Sequence, residues 1–187
     1  MGTHPFAASR RDEAYERARA TEAVARRRRF ENLLERHEAR LRRVAFGILT
    51  DAGRVDDVLQ EAFIRAYRGL PVRFESDSQE AAWLYRIVHR CCLNELRSRR
   101  RRPETPGLPE GMPAPAAGSE ASLAAAAALA ELPPDARAVV LLVDLVGLDY
   151  ETAAAALRIP RGTVASRLNK ARHLLRDAFV RLEGDRP

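Results

Sequence analysis

The residues best suited to bind another molecule are concentrated in PRGTVASRLNKARHLLR, which spans positions 160–176. On a helix, this stretch places an apolar stripe on one side, formed by Val164, Leu168, Ala171 and Leu175. The opposite side carries Ser166, Asn169, Lys170 and His173, flanked by Arg161, Arg167 and Arg172. Ser, Asn and Lys can hydrogen-bond base edges and arginines can hold phosphates, so the pattern predicts nucleic-acid recognition.

A second helical pattern precedes this stretch and would position it. Tyr150 to Leu157 reads as an alanine-rich helix, and Arg158 to Gly162 supplies a short break. A helix, a tight break and a basic helix are typical of the helix-turn-helix, whose second helix enters the major groove of DNA. The alternative is an ordinary amphipathic helix on a basic protein.

The overall charge narrows the classes of partner. A net charge of +6 at pH 7 favours nucleic acid or an anionic membrane, but the basic faces lack large apolar counterparts for lipid. No apolar run approaches the roughly 20 residues of a membrane span, and the N-terminus lacks the apolar core of a signal peptide. Cys91 and Cys92 are adjacent, which disfavours a disulfide framework or a zinc site. We expect a reduced, cytoplasmic protein in which both cysteines are packing residues.

No pattern in the sequence predicts catalysis. The four histidines share no metal-ligand spacing, and the chain has neither a nucleophile motif nor a phosphate-cradling glycine loop. We therefore expect no enzyme activity, catalytic residue, metal, cofactor or small-molecule substrate. His37 lies on an apolar helical stripe, which predicts a hydrogen-bonded core histidine.

The N-terminal half reads as helical throughout. Residues 1–29 form a charged extension, partly helical or disordered, which ends in four arginines at 26–29. These arginines predict either a solvated arm or one that contacts phosphates. A clear helix follows from Phe30 to Thr50, and Asp51 to Gly53 would stop it.

Two more helices complete this half. Val55 to Arg68 has one apolar face and a polar side with Asp56, Asp57, Gln60, Glu61 and Ile64. Carboxylates in a first turn also suit the helix dipole, so part of this pattern needs no binding role, whereas an exposed Ile64 indicates a contact surface. Glu80 to Arg102, after a loop over Gly69 to Gln79, carries a separate side with Arg86, His89, Arg90, Asn94 and Arg97. Glu95 falls on the apolar face of this helix, so either it forms a buried ion pair or the helical phase assigned to the face is wrong.

The C-terminal part reads as a linker followed by a second helical domain. Residues 103–121 contain five prolines and three glycines, which is typical of a linker. Four helices follow, over Ser122–Leu132, Asp135–Val146, Tyr150–Leu157 and Pro160–Val180. Because strand-period alternation is missing from the sequence, we predict an all-α fold of two small domains, 30–102 and 122–183.

Three stretches, in order, resemble the extracytoplasmic-function (ECF) sigma factors of the bacterial sigma-70 family. DDVLQEAFIRAYR is similar to the segment that binds the clamp helices of the polymerase largest subunit. AAWLYRIVHRCCLNELRSRRRR resembles the helix that reads and opens the −10 promoter element. LPPDARAVVLLVDLVGLDYETAAAALRIPRGTVASRLNKAR resembles the helix-turn-helix domain that reads the −35 element. The resemblance runs from about Phe30 to Leu182 and leaves the extension out.

The resemblance implies three binding surfaces. The polymerase-binding set is Asp56, Asp57, Gln60, Glu61 and Ile64. The −10 set is Phe74, Trp83, Arg86, His89, Arg90, Asn94 and Arg97. The −35 set is Arg161, Thr163, Ser166, Arg167, Asn169, Lys170, Arg172 and His173. Implied partners are core RNA polymerase, duplex and single-stranded promoter DNA, and an anti-sigma factor that would hold the protein near the membrane.

Strand opening would need a partner for unpaired bases. Stacking on an aromatic ring is worth about 1–3 kcal/mol per base, and Phe74, Trp83 and Tyr85 lie beside the arginine-rich third helix. We expect residues 74–79 to form a pocket for an extruded base, with core packing as the alternative for both Phe74 and Trp83. Arg99 to Arg102 would contact phosphates. The linker, at about 3.1 Å per residue, would reach about 60 Å, beyond one duplex turn of about 35 Å.

Three positions depart from the family's usual pattern. Arg158 replaces a frequent glycine in the turn, so it bears strain or the turn differs. Ala153 replaces a larger apolar residue, and Ala165 stands where a basic side chain is frequent. The alternative function is a stand-alone helix-turn-helix regulator that binds duplex DNA without polymerase.

Overall fold

The computed structural model describes residues 6–101 and 120–184, and all regular elements there are helices, which confirms the all-α prediction. The N-terminal domain contains α1 (Phe6–Leu49), a 3₁₀ turn (Ala52–Arg54), α2 (Val55–Gly69) and α3 (Asp77–Arg101). The C-terminal domain contains α4 (Glu120–Glu131), α5 (Pro134–Val140), a π-helical turn (Leu141–Leu145), α6 (Tyr150–Leu157) and α7 (Arg161–Gly184). The predicted linker lies almost wholly outside the described residues.

The N-terminal extension is part of α1. The expected helix start at Phe30 is wrong: the helix begins at Phe6 and continues for 44 residues, about 66 Å. No glycine or proline interrupts it before Gly47, and ion pairs such as Arg27 Nε–Glu31 Oε1 at 2.8 Å support its exposed turns.

The arginines at the end of the extension have structural partners. Arg26 donates through Nη2 to the carbonyls of Tyr67 and Arg68, the latter at 2.7 Å, and Arg29 Nη1 donates to the Val72 carbonyl at 2.9 Å. Carbonyls at a helix C-terminus lack intrahelical donors and carry partial negative charge, so cations stabilise them. These two arginines therefore cap α2 and fix the following loop.

A buried carboxylate joins α1 to α3. Glu80 accepts hydrogen bonds from Arg36 Nη2 at 2.8 Å on both oxygens, and His37 Nε2 lies 3.0 Å from its Oε1. This confirms His37 as a hydrogen-bonded core histidine. The helix α3 starts three residues earlier than predicted because Ser76 Oγ accepts from the Gln79 amide at 3.1 Å, a cap that the loop prediction missed.

The predictions for the two cysteines and for Glu95 in the N-terminal core agree with the structure. Cys91 and Cys92 are buried free thiols, and burial raises the pKa of Cys92 to about 12, so it packs as an apolar residue. Glu95 Oε1 lies 3.9 Å from Arg54 Nε and is partly buried, which favours the ion-pair alternative.

The C-terminal domain departs from prediction at one helix. The expected single helix over Asp135–Val146 ends at Val140, and a π-helical turn follows in which the Val146 amide donates to the Leu141 carbonyl at 3.0 Å. The helix Tyr150–Leu157 is confirmed. Arg158 then adopts the left-handed conformation with φ 56° and ψ 46°, so the turn keeps its shape and Arg158 bears the strain.

The two domains lie against each other. Helix α6 packs on α3 and α5 packs on α1. One continuous hydrophobic cluster includes Leu84 and Val88 of the N-terminal domain together with Val139 and Leu142 of the C-terminal domain. The sequence predicts separately placed modules on a tether, and the structure instead joins them.

Candidate nucleic-acid and polymerase interfaces

Helix α2 presents the predicted polymerase-binding set to solvent. Its apolar residues are buried, including Val55, Val58 and Leu59, which leaves the polar side outward. All five predicted residues are exposed: Asp56, Asp57, Gln60, Glu61 and Ile64. Arg42 of α1 pairs with Asp56, and Arg65 Nε lies 2.6 Å from Glu61 Oε1.

A groove of about 390 Å³ adjoins this side of α2. Its apolar lining comes from Phe30, Leu59, Phe63, Ile64 and Tyr67. The Phe30 and Tyr67 rings meet edge to face, with centroids 5.3 Å apart. The predicted polymerase-binding set did not include Phe63 or Tyr67, since both follow the apolar spacing of α2. The polar rim of the groove is of mixed charge, with Asp56 and Gln60 beside Arg42 and Arg68. An apolar groove with a polar rim is suited to an amphipathic helix.

The predicted −10 residues separate into three groups, of which the third faces the C-terminal domain. Phe74 and Trp83 pack on each other with ring centroids 5.3 Å apart, and both are half-buried against the core. Arg90, Asn94 and Arg97 are exposed along α3. This second group forms an accessible polar strip on the described surface.

Arg86 and His89 face the C-terminal domain. Arg86 donates two hydrogen bonds to the Ala155 carbonyl of α6, at 2.8 Å from Nη2 and 3.2 Å from Nε. Burial lowers the pKa of His89, and its Nε2 has no protein partner among the described residues. Both side chains are half-buried, so they lie apart from the exposed residues of α3.

Two cavities lie on either side of Phe74. One, of about 480 Å³, is lined by Phe74, Trp83 and Arg86 together with Glu151 and Ala155 of α6. The other, of about 420 Å³, lies between α1 and the loop before α3, with Asn32, Arg36 and Arg73 in its lining. Asn32 and Arg36 could not be predicted here, because both belong to a helix more than 30 residues upstream of the loop.

Helix α7 has the predicted two faces. Val164, Leu168 and Ala171 are fully buried, and Leu175 is half-buried against the core. Ser166, Asn169 and Lys170 are exposed, and Thr163 is half-buried. Asn169 and Lys170 make no ion pair or hydrogen bond within residues 6–101 and 120–184, so they can accept a ligand without losing a contact.

The arginines beside this face are already paired with carboxylates of their own domain. Arg161 Nε lies 2.6 Å from Glu151 Oε1, and Arg167 Nη1 lies 3.6 Å from Asp135 Oδ2. Arg172 binds both oxygens of Asp144, at 2.6 and 3.2 Å, which raises the pKa of Arg172. His173 Nδ1 lies 3.3 Å from Arg176. Arg99, predicted to contact phosphates, instead pairs with Asp51.

Neither a metal site nor a membrane-spanning helix occurs in the described ranges. No cluster of three or more His, Cys, Asp or Glu side chains there could hold a metal ion. None of the described helices is long and apolar enough to cross a membrane.

Comparison with known families explains the two domains. Residues 33–102 match the family described as Sigma-70 region 2, and residues 122–175 match Sigma-70, region 4. The chain is 36% identical over 145 residues to the ECF RNA polymerase sigma factor SigM of Mycobacterium tuberculosis, covering 76% of this chain and 73% of that one. It is 37% identical over 140 residues to the ECF RNA polymerase sigma-E factor of Escherichia coli, covering 66% and 73%.

Solved structures show the same fold. The sigma factor RpoE in complex with the anti-sigma factor NepR from Bartonella quintana aligns with a TM-score of 0.69 at 24% identity, over 84% of this chain and 98% of that chain. CnrH in complex with the cytosolic domain of CnrY aligns with a TM-score of 0.64 at 28% identity, over 89% and 96%. The chain therefore belongs to the ECF RNA polymerase sigma factors. It is a transcription initiation factor, which confirms the expected family and sets aside the stand-alone regulator.

Proposed function

We propose that each predicted surface carries out one step of initiation. Helix α2 docks on the polymerase clamp helices, the Phe74–Gln79 segment together with the rest of α3 binds and opens the −10 element, and α7 reads the −35 element. The observation that carries this assignment is that α2 and α7 each bury one stripe and expose the side predicted to bind. On α2 that side is acidic, and on α7 it is basic and hydrogen-bonding.

The assignment divides the chain into a charged extension over 1–29, a polymerase and −10 domain over 30–102, a linker over 103–121 and a −35 domain over 122–183. An anti-sigma factor is a further proposed partner, supported by the relative solved with one. Such a complex would place the protein in the cytoplasm, near the membrane if the anti-sigma factor is anchored there.

Reconstituted transcription tests the proposal as a whole. Purified chain, core RNA polymerase and fragmented genomic DNA should give discrete run-off products that depend on both proteins. A chain that binds a duplex site tightly alone and adds no products with core polymerase would contradict it.

The −10 assignment has its own test on a promoter found in that screen. Replacing residues 74–79 with a Gly/Ser segment of equal length should leave core binding intact and remove permanganate reactivity of the opened thymines, because the extruded base loses its pocket. Replacing the exposed Val72 with Ser is the matched control in the same loop. Persistent thymine reactivity in the loop variant would place the pocket elsewhere.

A further inference from the structure

The N-terminal extension of α1 precedes the part of the chain that matches Sigma-70 region 2, which begins at residue 33. Over residues 12–29 the helix is about 27 Å long and has six arginines and four acidic residues. Tyr15 and Val24 are its exposed large apolar side chains within this range, and a separation of nine residues points them to opposite sides. The extension therefore offers a basic surface without a wide apolar stripe on which a protein partner could pack.

Two arginines hold the extension against the loop that precedes α3. Arg26 donates to carbonyls in the last turn of α2, and its guanidinium lies 5.1 Å from the centroid of the Tyr67 ring. Arg29 Nη1 donates to the Val72 carbonyl at 2.9 Å. These contacts join the helix to the chain just before the Phe74–Gln79 segment, so the extension leaves the N-terminal domain beside the proposed −10 pocket.

Arg28 points to the side of α1 that borders this pocket. A spacing of four residues puts it one turn from Asn32 on the same side of the helix. Asn32 lines the cavity of about 420 Å³ between α1 and the loop, and Arg73 lines it from the loop. Within the two described ranges, Arg28, Asn32 and Arg73 are exposed and make no ion pair or hydrogen bond. Arg28 and Arg73 can therefore bind an anion without giving up a protein contact.

The charges around the cavity favour a base inside it and a phosphate at the α1 side. Glu75 and Asp77 line the cavity from the loop, whereas Glu80 there is neutralised by Arg36. Two carboxylates repel a phosphate but not an uncharged base. A phosphate next to the bound base would therefore lie on the side of Arg28.

We propose that the extension is a DNA-contacting arm, in which Arg28 holds a promoter phosphate beside the −10 pocket and Arg17 holds another farther along the helix. The inference rests on the proposed −10 surface. Arg17 is eleven residues from Arg28, about three turns, so both project from one side of α1 at roughly 16 Å from each other.

The ion pair of Arg17 does not oppose this contact strongly. Its partner Glu13 lies 3.5 Å away, and both side chains are exposed. A surface pair of this kind contributes little, so its exchange for a phosphate costs little. Because phosphates are the same at every base pair, the arm adds affinity and fixes position without adding sequence preference.

Two neighbouring arginines provide a matched test. Arg27 projects about 100° around the helix from Arg28 and already pairs with Glu31 at 2.8 Å, so Arg27→Ala is the control. With core polymerase and a promoter from the run-off screen, Arg28→Ala should weaken promoter binding and reduce the slope of log affinity against log salt by about one. Arg28→Lys should retain the slope because the charge remains. Arg27→Ala should keep the wild-type slope, and all three variants should bind core polymerase normally.

A second experiment locates the arm on the DNA. Thr21 is exposed and lies between Arg17 and Arg28 on the proposed contact side. Thr21→Cys labelled with iron–EDTA should cleave promoter DNA at or beside the −10 element in the open complex. Arg19→Cys, on the opposite side of the helix, should cleave the same positions much less. The native thiols are both buried and should not take up the label. Cuts on one strand of the opened region would assign the phosphates to single-stranded DNA, and cuts on both strands would assign them to the duplex.

Equal salt slopes for the Arg27→Ala and Arg28→Ala proteins would overturn the inference, because any effect would then follow net charge and not position. Lack of cleavage near the −10 element by labelled Thr21→Cys, in a holoenzyme that opens the promoter normally, would also overturn it and would leave the −10 assignment intact. A wild-type holoenzyme that does not open the promoter would instead contradict the proposed function.

Discussion

Arg158 holds a left-handed backbone conformation in the turn between α6 and α7, with its side chain exposed. A residue with a Cβ pays roughly 1 kcal/mol or more in this region, whereas glycine does not. We expect Arg158→Gly to raise the free energy of unfolding by about 1 kcal/mol, measured by urea denaturation. Arg158→Ala keeps the strain and should leave stability near wild type. Equal effects of both variants would attribute the change to the lost guanidinium instead.

The exposed side of α7 contains two kinds of residue, and substituting each kind should change DNA binding differently. Asn169→Ala or Lys170→Ala should cost about 1–3 kcal/mol at the cognate −35 site and relax preference at one or two base pairs. Arg172→Ala should weaken binding to all sequences alike, because an arginine at the edge of the face would hold a phosphate. Its bond to Asp144 means that wild type must first exchange one carboxylate for that phosphate.

Run-off transcription of each variant on a matrix of −35 substitutions measures both effects. The control for Arg172→Ala is Asp144→Asn, which removes the competing carboxylate and leaves the positive charge of Arg172 in place. If the Asn169 and Lys170 variants lose activity equally on every −35 sequence, these residues do not read bases.

At the scale of elements, the stability of α6 depends on the carboxylate of its N-cap residue, Asp149. Asp149 accepts from the Thr152 amide at 2.7 Å and from the Thr152 hydroxyl at 2.8 Å, and these bonds lower the pKa of Asp149. Asp149→Ala should cost about 1 kcal/mol of stability. Because the folded pKa is depressed, the stabilisation by charge is present above the unfolded value and is lost as pH falls through the folded pKa.

Urea denaturation over a range of pH measures the Asp149 contribution. Asp149→Asn keeps an acceptor without charge, so it should be close to wild type at neutral pH and should lose less stability below pH 3.8, the ordinary value of an Asp carboxyl. Parallel pH profiles for the Asp and Asn proteins would show that the charge contributes nothing.

The acidic side of α2 should determine core binding. Asp57→Arg with Glu61→Arg should abolish detectable binding to core polymerase at moderate salt, because two attractive charges become repulsive against a basic partner. Circular dichroism should be unchanged, since both side chains are exposed. Glu13→Arg with Glu35→Arg makes the same change of net charge on the exposed surface of α1 and should bind normally. Unchanged affinity of the α2 variant would contradict the docking assignment.

At the scale of the whole molecule, linker length should determine whether one chain can bind both promoter elements at once. Deleting ten residues from 103–121 leaves nine, which reach about 28 Å at about 3.1 Å per residue, less than one duplex turn. We expect the shortened chain to lose run-off transcription from a promoter with both elements. A Gly/Ser replacement of full length should retain most of it. Full activity of the shortened chain would mean that the tether does not set the spacing.

The sequence alone determined the all-α class, the two faces of α7 and the family. Helical period is a local property, so the buried stripe of Val164, Leu168 and Ala171 and the exposed Asn169 and Lys170 could be read directly from spacing. The helix-turn-helix could be placed for the same reason. The sequence also identified Arg158 as a residue that must bear strain or change the turn.

Only the tertiary structure decided which charged side chains already have a hydrogen-bond or ion-pair partner. Arg26, Arg86 and Arg137 look like the other arginines in sequence, yet their carbonyl partners lie 41 to 89 residues away along the chain. The same holds for Arg172, whose partner Asp144 lies across the domain. An arginine has the same charge everywhere, and spacing along one helix carries no information about which carbonyl or carboxylate another helix brings to it. For that reason the sequence predicted basic surfaces correctly in outline, whereas the contact between Arg86 and α6 emerged only from the packing of α6 on α3.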